Sequence, residues 1–368
     1  MMKIKRIAKR TIPLCFLPSE KLICYKDGHL LVYNNGEVCN DIFIFNDFKE
    51  RILGKNRFLS RLMRLGIRSA IAIDDDHVIL SKGHSLYEFC LADGSLSQGF
   101  KTPNSSRPLI FTEVQSIIGF KDGIYFGEYL MNMDKTPVGI YHRIGVDRWE
   151  KVFSFSQGEV NHIHNIIPDP YRNCLWIFTG DFGEAAAIWK ASDNFKEVKR
   201  VAFNNQMFRA CVAYVLPEGI LYATDTPFAK DFIYLFKTET GKVKEVFPIH
   251  GSCIYGCKWK DKFVFSSTVE SDGLERNRWE LLFTRKRGAG IKDDYVHLYM
   301  GNLHNGFKEI YKEEKDCMPL NTFQYGVFKF PYGVNNRDTL FFQPVATNKN
   351  DLALMRYNEE TVIAESGI

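Results

Sequence analysis

Strand–turn–strand units recur along most of this 368-residue chain, at intervals of about 40–50 residues. Their apolar runs break at short polar turns, among them Lys26-Asp27-Gly28, Lys121-Asp122-Gly123 and Pro217-Glu218-Gly219, which supply the backbone angles of tight hairpins. Further strands follow each hairpin, as at 186–190 and 195–201, and a four-stranded unit is typical of a propeller blade. Seven such units predict an all-β protein. We expect a single β-propeller domain over 1–368 with seven four-stranded blades, six or eight remaining open. The first strand is expected to close the ring by joining the last blade.

Composition narrows the class of protein. Aromatic residues make up 14% of the chain, and such residues favour pleated, half-buried strands. A net charge of +4 is too small to indicate nucleic-acid binding, and no nucleic-acid recognition motif is present. No transmembrane segment and no signal peptide are predicted, because no apolar run is long enough. Nine cysteines lack disulfide or metal-site spacing, which is typical of a reducing compartment and indicates a cytoplasmic location.

One segment, 48–69, breaks the strand pattern and is predicted to be a basic amphipathic helical insertion. Apolar residues recur at helical spacing from Phe58 to Leu65, and arginines do so from Arg57 to Arg68. Two interpretations remain open. The helix can pack on the ring with a solvated basic face, or it can make peripheral membrane contact, with the Arg57–Arg68 stripe meeting anionic lipid heads or a phosphate-bearing substrate.

Asn161-His162-Ile163-His164 places two histidines at alternate positions of a predicted strand, so that both side chains point to the same face. Imidazoles placed in this way can contact substrate, transfer protons or form half of a metal site. The alternative is a hydrogen-bonded pair at a blade edge. His162 and His164 are therefore candidate substrate contacts and candidate ligands for a divalent cation, the one cofactor that the sequence suggests.

Four consecutive units place a carboxylate where the apolar run of a strand has ended: Glu128, Asp181, Asp225 and Glu270. A single acidic residue at a strand end is commonly a turn residue. In a propeller, however, equivalent strand ends converge around the central channel, so four carboxylates in phase indicate a shared site. Clustered carboxylates raise one another's pKa and can act as acid and base, or bind a sugar or a cation.

Three more polar residues lie beside these carboxylates. Gln206 and Arg209 open the unit that carries Asp225, and Tyr255 opens the next unit. Arg209 can clamp an anionic group or form a structural salt bridge to a carboxylate, and both interpretations stay open. Tyr255 is a candidate for the channel wall and for stacking on a sugar ring. The tryptophans lie within apolar runs and are expected to pack in blade cores: Trp149, Trp176, Trp189, Trp259 and Trp279.

These motifs resemble those of bacterial sialidase-like propellers with BNR repeats. The resemblance is densest over 138–270 and rests on these segments: Asn161-His162-Ile163-His164, Thr179-Gly180-Asp181, Phe208-Arg209, Ala223-Thr224-Asp225 and Val269-Glu270. Ser192-Asp193-Asn194-Phe195 is similar to the Asp-box turn of that repeat, without its usual glycine and tryptophan. The resemblance implies carbohydrate chemistry, with Arg209 on the substrate carboxylate and Tyr255 with Glu270 as a nucleophile pair. A full arginine triad is not found, and the histidine pair is foreign to the sialidase mechanism.

Two functions of different classes follow. The first is a carbohydrate-active enzyme, a glycosidase or lyase that acts on an anionic sugar in the channel, with four catalytic candidates: Asp181, Asp225, Glu270 and Tyr255. The substrate-binding candidates are the other polar residues: His162, His164, Gln206, Arg209 and Glu128. The second is a non-catalytic propeller that binds glycans or a partner in surface polysaccharide biosynthesis, a process that fits a cytoplasmic location.

Overall fold

The residues that the structure describes form seven antiparallel sheets of four strands each. The computed structural model describes residues 3–274 and 277–359. Strands adjacent in sequence are adjacent in each sheet, and the innermost strands of all seven sheets line one central cavity. The predicted seven-bladed β-propeller is therefore confirmed. Asp27-Gly28 forms the expected two-residue turn, because both residues have positive φ (50° and 95°), as a type I′ hairpin requires.

The blades are numbered along the chain, and each is given from its inner to its outer strand. Blade 1 contains β2 (Ile12–Phe16), β3 (Leu22–Lys26), β4 (His29–Asn34) and β5 (Glu37–Phe43), and blade 2 contains β6 (Ser69–Ala72), β7 (His77–Lys82), β8 (Ser85–Cys90) and β9 (Phe100–Lys101). Blade 3 contains β10 (Phe111–Val114), β11 (Gly123–Gly127), β12 (Val138–Gly145) and β13 (Arg148–Phe155), and blade 4 contains β14 (His162–Asp169), β15 (Cys174–Gly180), β16 (Ala187–Ser192) and β17 (Glu197–Phe203). Blade 5 contains β18 (Ala210–Leu216), β19 (Gly219–Thr224), β20 (Asp231–Lys237) and β21 (Lys242–Ile249). Blade 6 contains β22 (Tyr255–Trp259), β23 (Lys262–Ser266), β24 (Tyr295–Asn302) and β25 (Gly306–Glu314). Blade 7 contains β26 (Val327–Lys329), β27 (Thr339–Val345), β28 (Leu354–Asn358) and β1 (Lys3–Ala8).

The first strand of the chain closes the ring, as predicted. β1 is the outer strand of blade 7 and pairs antiparallel with β28, so that Lys3 lies opposite Asn358. One blade is thus built from both ends of the chain. Closure in this way pairs the outer edge of β28 and ties the N-terminal segment to the last repeat.

The predicted helical insertion is present, but as two short helices, α1 (Phe48–Leu53) and α2 (Arg57–Leu62), and β6 already begins at Ser69. A continuous helix over 48–69 is therefore wrong. The side chain of Asn56 accepts hydrogen bonds from the amides of Phe58 and Leu59, which caps a new helix start. None of the helices within the described residues is long and apolar enough to cross a membrane.

The arginine stripe does not form one solvated face. Arg61 is fully buried, and its Nη1 lies 2.5 Å from Asp316 and 3.1 Å from Asp351. Arg68 lines the central cavity, which leaves Arg57 and Arg64 as the members nearest to solvent. The stripe therefore joins the insertion to blade 7 and contributes to the channel, and it is not a continuous basic surface.

Trp279 is the one tryptophan that the core prediction misplaces. The other four pack against blade residues, but Trp279 lies on α3 (Arg278–Phe283) and is 73% exposed. Asn277 starts this helix, because its side chain accepts a hydrogen bond of 2.9 Å from the Glu280 amide. The apolar run is therefore helical here rather than part of a strand.

Three kinds of chain segment lie on one face of the ring: the starts of the inner strands, the ends of the second strand of each blade, and the connections between blades. We call it the site face. The α1–α2 insertion connects blades 1 and 2, and α3 connects the second and third strands of blade 6, so both lie on this face. The turns between the first and second strands of each blade, and those between the third and fourth strands, lie on the opposite face.

Candidate functional site

The central channel opens on the site face as a cavity of about 140 Å³. Its lining includes His164, Cys211, Tyr255, Arg68 and Lys329. These residues belong to or flank the inner strands of five different blades. The cavity is therefore the place where distant parts of the sequence meet, as the repeat pattern predicts.

His162, His164 and Asp181 form a compact group at this mouth. The Nε2 atoms of His162 and His164 are 2.9 Å apart, and Asp181 Oδ1 lies 3.3 Å from the first and 3.5 Å from the second. Gly180 makes room for this packing, because a Cβ there would lie 2.3 Å from the His164 ring. The two imidazoles are thus closer than strand alternation alone predicts.

Backbone carbonyls fix the tautomers of both histidines. His162 Nδ1 lies 2.8 Å from the Leu130 carbonyl and His164 Nδ1 lies 3.2 Å from the Ala210 carbonyl. A carbonyl only accepts, so each Nδ1 carries the hydrogen and each Nε2 presents a lone pair. Two lone pairs and a carboxylate oxygen therefore converge, and only a shared proton or a cation can bridge them.

The residues present fit a divalent cation. Neutral imidazole nitrogens and a carboxylate are ordinary ligands for zinc and manganese. Burial lowers the pKa of His164 although the hydrogen bond to Asp181 opposes this shift, and the lowered pKa favours the neutral ligand form. Burial would raise the pKa of Asp181, but hydrogen bonds from the two imidazoles when they share a proton, together with the charge of Arg209, lower it, so this carboxylate stays ionised. His162, His164 and Asp181 are one of three such groups among the described residues.

Arg209 joins this group to the next blade. Its Nη2 lies 3.2 Å from Asp181 Oδ1, and its Nε lies 3.5 Å from Asp225 Oδ2. The salt-bridge interpretation of Arg209 thus agrees with the structure, and the guanidinium is engaged by two carboxylates. Gln206 holds the same loops together. Its side chain donates a hydrogen bond of 3.0 Å to the Asp181 carbonyl and accepts one of 2.9 Å from the Thr226 hydroxyl.

Buried carboxyl groups lie behind Arg209. Glu270 accepts hydrogen bonds from the hydroxyls of Ser252 and Thr268. Burial and the charge of Asp225 raise the pKa of Glu270 to about 7. Asp231, at the start of β20, was not a sequence candidate, because an aspartate that opens a third strand carries no distinctive signal. Burial raises its pKa to about 8. Glu270 can therefore gain or lose a proton near neutral pH.

The opposite side of the mouth is basic and was also missed. Arg68 and Arg107 precede the inner strands of blades 2 and 3, and Lys329 ends the inner strand of blade 7. Burial and the neighbouring arginines lower the pKa of Lys329 to about 7 and that of Arg68 to about 10. Within residues 3–274 and 277–359, these three side chains form no ion pair. We call Arg68, Arg107 and Lys329 the basic wall.

Two predicted residues lie apart from the acidic group. Glu128 is buried, and its oxygens accept hydrogen bonds from the Ser106 hydroxyl (3.1 Å) and the Gly139 amide (2.6 Å), so it braces its own blade. Tyr255 lies against the basic wall, with Lys329 Nζ 5.6 Å from its ring centroid. No hydrogen bond joins Tyr255 to Glu270 in the part of the chain that the structure describes.

The fold and the charged channel mouth define the class: a seven-bladed β-propeller with a central polar site. The chain matches no protein-family model and no curated protein sequence. Among solved structures, an oligogalacturonate lyase in complex with manganese gives a TM-score of 0.60 at 12% identity, covering 98% of this chain and 93% of that chain. A chain of the mitotic checkpoint complex gives 0.54 at 9% identity, with 98% and 91% covered. An extracellular domain from B. thetaiotaomicron gives 0.57 at 11% identity, with 98% and 40% covered. At these identities the likeness establishes the propeller fold alone.

Proposed function

We propose that the protein is a carbohydrate-active enzyme, a lyase that acts on an acidic sugar at the channel mouth with a divalent cation held by His162, His164 and Asp181. One observation carries the proposal: His164, which belongs to a group of possible cation ligands, lines the same cavity as Arg68 and Lys329 of the basic wall. A sugar carboxylate is the group that both sides can bind, the first through a metal ion and the second directly.

An eliminating lyase suits these residues. It removes the proton beside the sugar carboxylate, forms a carbon–carbon double bond and releases the glycosidic oxygen. Arg68 and Arg107 would stabilise the charge that builds up on the carboxylate. A bound divalent cation would act as a Lewis acid on the same group. Lys329, which lines the cavity and has a pKa of about 7, is the candidate to take up the carbon-bound proton and to return a proton to the departing oxygen.

A sialidase-type glycosidase has less support. Its nucleophile pair would need Tyr255 beside Glu270, but Glu270 is engaged by Ser252 and Thr268. Arg209 is engaged by two carboxylates rather than open to a substrate. The similarity in fold to an oligogalacturonate lyase in complex with manganese also favours elimination. The glycosidase and the non-catalytic binding protein are retained as outcomes of the test.

The test is a screen of oligouronides and neutral oligosaccharides, followed by ultraviolet absorbance of the unsaturated product and by reducing-end release. EDTA should abolish turnover, and added manganese should restore it. His162→Ala and Arg107→Met should each lower kcat/KM by at least about a hundredfold, the usual scale for a metal ligand or a charge-stabilising group. His29→Ala is the matched control, because His29 pairs with Asp41 on the outer strands of blade 1.

Each outcome separates the candidates. Reducing ends without the absorbing product would identify a glycosidase. Binding of an oligouronide without any turnover would identify a binding protein. Activity that survives EDTA and the His162→Ala change would exclude the cation from the reaction, and the absence of both binding and turnover on acidic sugars would refute the proposal.

A further inference from the structure

α3 exposes four apolar side chains to solvent. Every residue of this helix is exposed. Trp279 and Phe283 are 73% and 61% exposed, and their rings stack on each other with centroids 5.8 Å apart. Leu281 and Leu282 are exposed beside them. A surface cluster of this kind marks a place where something else binds.

The body of the propeller holds α3 by its backbone rather than by its side chains. Asn321 Nδ2 donates 3.3 Å to the Leu281 carbonyl, and the Thr322 hydroxyl donates 2.6 Å to the Leu282 carbonyl. The Leu320 amide donates 2.9 Å to the Thr284 carbonyl. These bonds cap the C-terminal end of the helix. The helix is therefore fixed in place while its apolar side chains point away from the core.

The end of α2 extends the same surface. Arg64 donates a hydrogen bond of 3.0 Å to the Asn321 carbonyl, so one short loop contacts both helices. Leu62 and Met63 are exposed there. We call the combined set the apolar patch: Leu62, Met63, Leu274, Trp279, Leu281, Leu282 and Phe283. It lies on the site face.

Basic side chains border the apolar patch. Arg278, Arg285 and Lys286 are exposed, and none of them forms an ion pair within the described residues. Between residues 272 and 287 the sequence has five basic residues and three acidic ones, Asp272, Glu275 and Glu280, so cations are in excess. Exposed Trp, Phe and Leu with flanking Lys and Arg are typical of surfaces that enter the interface of an anionic bilayer.

We propose that the apolar patch docks the propeller on an anionic phospholipid membrane. Trp279 and Phe283 would enter the headgroup region, and Arg278, Arg285 and Lys286 would contact lipid phosphates. We therefore assign the membrane contact to α3 and the end of α2, rather than to the Arg57–Arg68 stripe for which the sequence predicts it. Because the patch lies on the site face, docking brings the channel mouth towards the membrane surface.

Vesicle binding of the full-length protein tests this proposal. Sedimentation with phosphatidylcholine vesicles is compared with sedimentation with mixed phosphatidylcholine and phosphatidylglycerol vesicles. We expect binding to the anionic vesicles alone and weaker binding at high salt. Removing two cations in Arg285→Gln/Lys286→Gln should weaken it about thirtyfold, at about 1 kcal/mol for each basic side chain. Trp279→Ala/Phe283→Ala should abolish it.

Ile118→Ala/Val334→Ala is the matched control, because these two side chains are 79% and 69% exposed on the opposite face. Unchanged thermal unfolding would show that each variant is folded. If Trp279→Ala/Phe283→Ala does not fold, the single replacement Trp279→Ser takes its place. The proposal is overturned if anionic vesicles do not bind, or if the control weakens binding as much as the patch variant. It is also overturned if the patch variant instead abolishes self-association, since the occupant would then be a second copy. The lyase assay is separate, so failure here leaves the proposed function standing.

Discussion

Replacing Asp231 by asparagine should stabilise the protein, and the gain should grow with pH. Asp231 is fully buried at the start of β20. Its Oδ1 accepts a hydrogen bond of 3.3 Å from the Thr226 amide, and its Oδ2 has no partner among the described residues. Burial, with the charges of Asp225 and Glu270 adding to it, raises the pKa from 3.8 to about 8. The carboxyl group is therefore protonated in the folded protein at neutral pH, and asparagine has nearly the same shape.

The magnitude follows from proton linkage. Between pH 4 and pH 8 the unfolded chain has released a proton that the folded chain still holds at Asp231. The free energy of unfolding therefore falls by about 1.4 kcal/mol per pH unit on account of this residue. Asparagine has no such proton. The stability difference between Asp231→Asn and the parent should accordingly grow by about 3 kcal/mol from pH 5 to pH 7.

Urea unfolding at both pH values, followed by tryptophan fluorescence, measures this difference. A third measurement near pH 3, where the carboxyl group is protonated in both states, isolates the packing effect of the substitution. If the difference between the two proteins is the same at pH 5 and pH 7, Asp231 is ionised in the folded state. The reasoning from burial would then be wrong.

Three further predictions concern other parts of the molecule. Arg61→Met should lower the free energy of unfolding by about 3–5 kcal/mol because it leaves Asp316 and Asp351 buried without their cation, and neutralising both aspartates should recover much of that loss in the same denaturation assay. Binding of a uronate should weaken as pH rises through 7, because Lys329 then loses its charge, while Lys329→Arg should bind equally across that range by calorimetry. Deleting 1–8 removes the outer strand of blade 7, and it should lower the melting temperature and promote aggregation by exposing β28, as light scattering would detect.

The sequence could predict features set by local patterns. Turn signals between apolar runs indicate the number of blades, and alternation places His162 and His164 on one face. The contact between their rings was beyond reach, because it depends on a break in register between Ile163 and Asn165 and on the space left by Gly180. Such features follow from the pairing of β14 with β15 and not from either strand alone.

Position in the repeat also does not fix the direction of a side chain. Glu128 ends its strand in phase with Asp181, yet it turns into its own blade, where the Gly139 amide and the Ser106 hydroxyl satisfy it. The basic wall shows the converse. Arg68 and Lys329 are far apart in sequence and belong to no common motif, so only closure of the ring brings them together.

The charges at the channel mouth are held apart by the ring itself. Arg209 is the cation that meets Asp181 and Asp225, whereas Arg68 and Arg107 remain unpaired in the part of the chain that the structure describes. In a flexible site a guanidinium would move onto the nearest carboxylate, because an unpaired buried charge is costly. Separate blades prevent that movement. Loss of a proton from Lys329, whose pKa is lowered to about 7, relieves part of the repulsion within the basic wall, and an anion from outside would relieve the rest. An acidic ligand should therefore stabilise the folded protein, and most strongly at low salt.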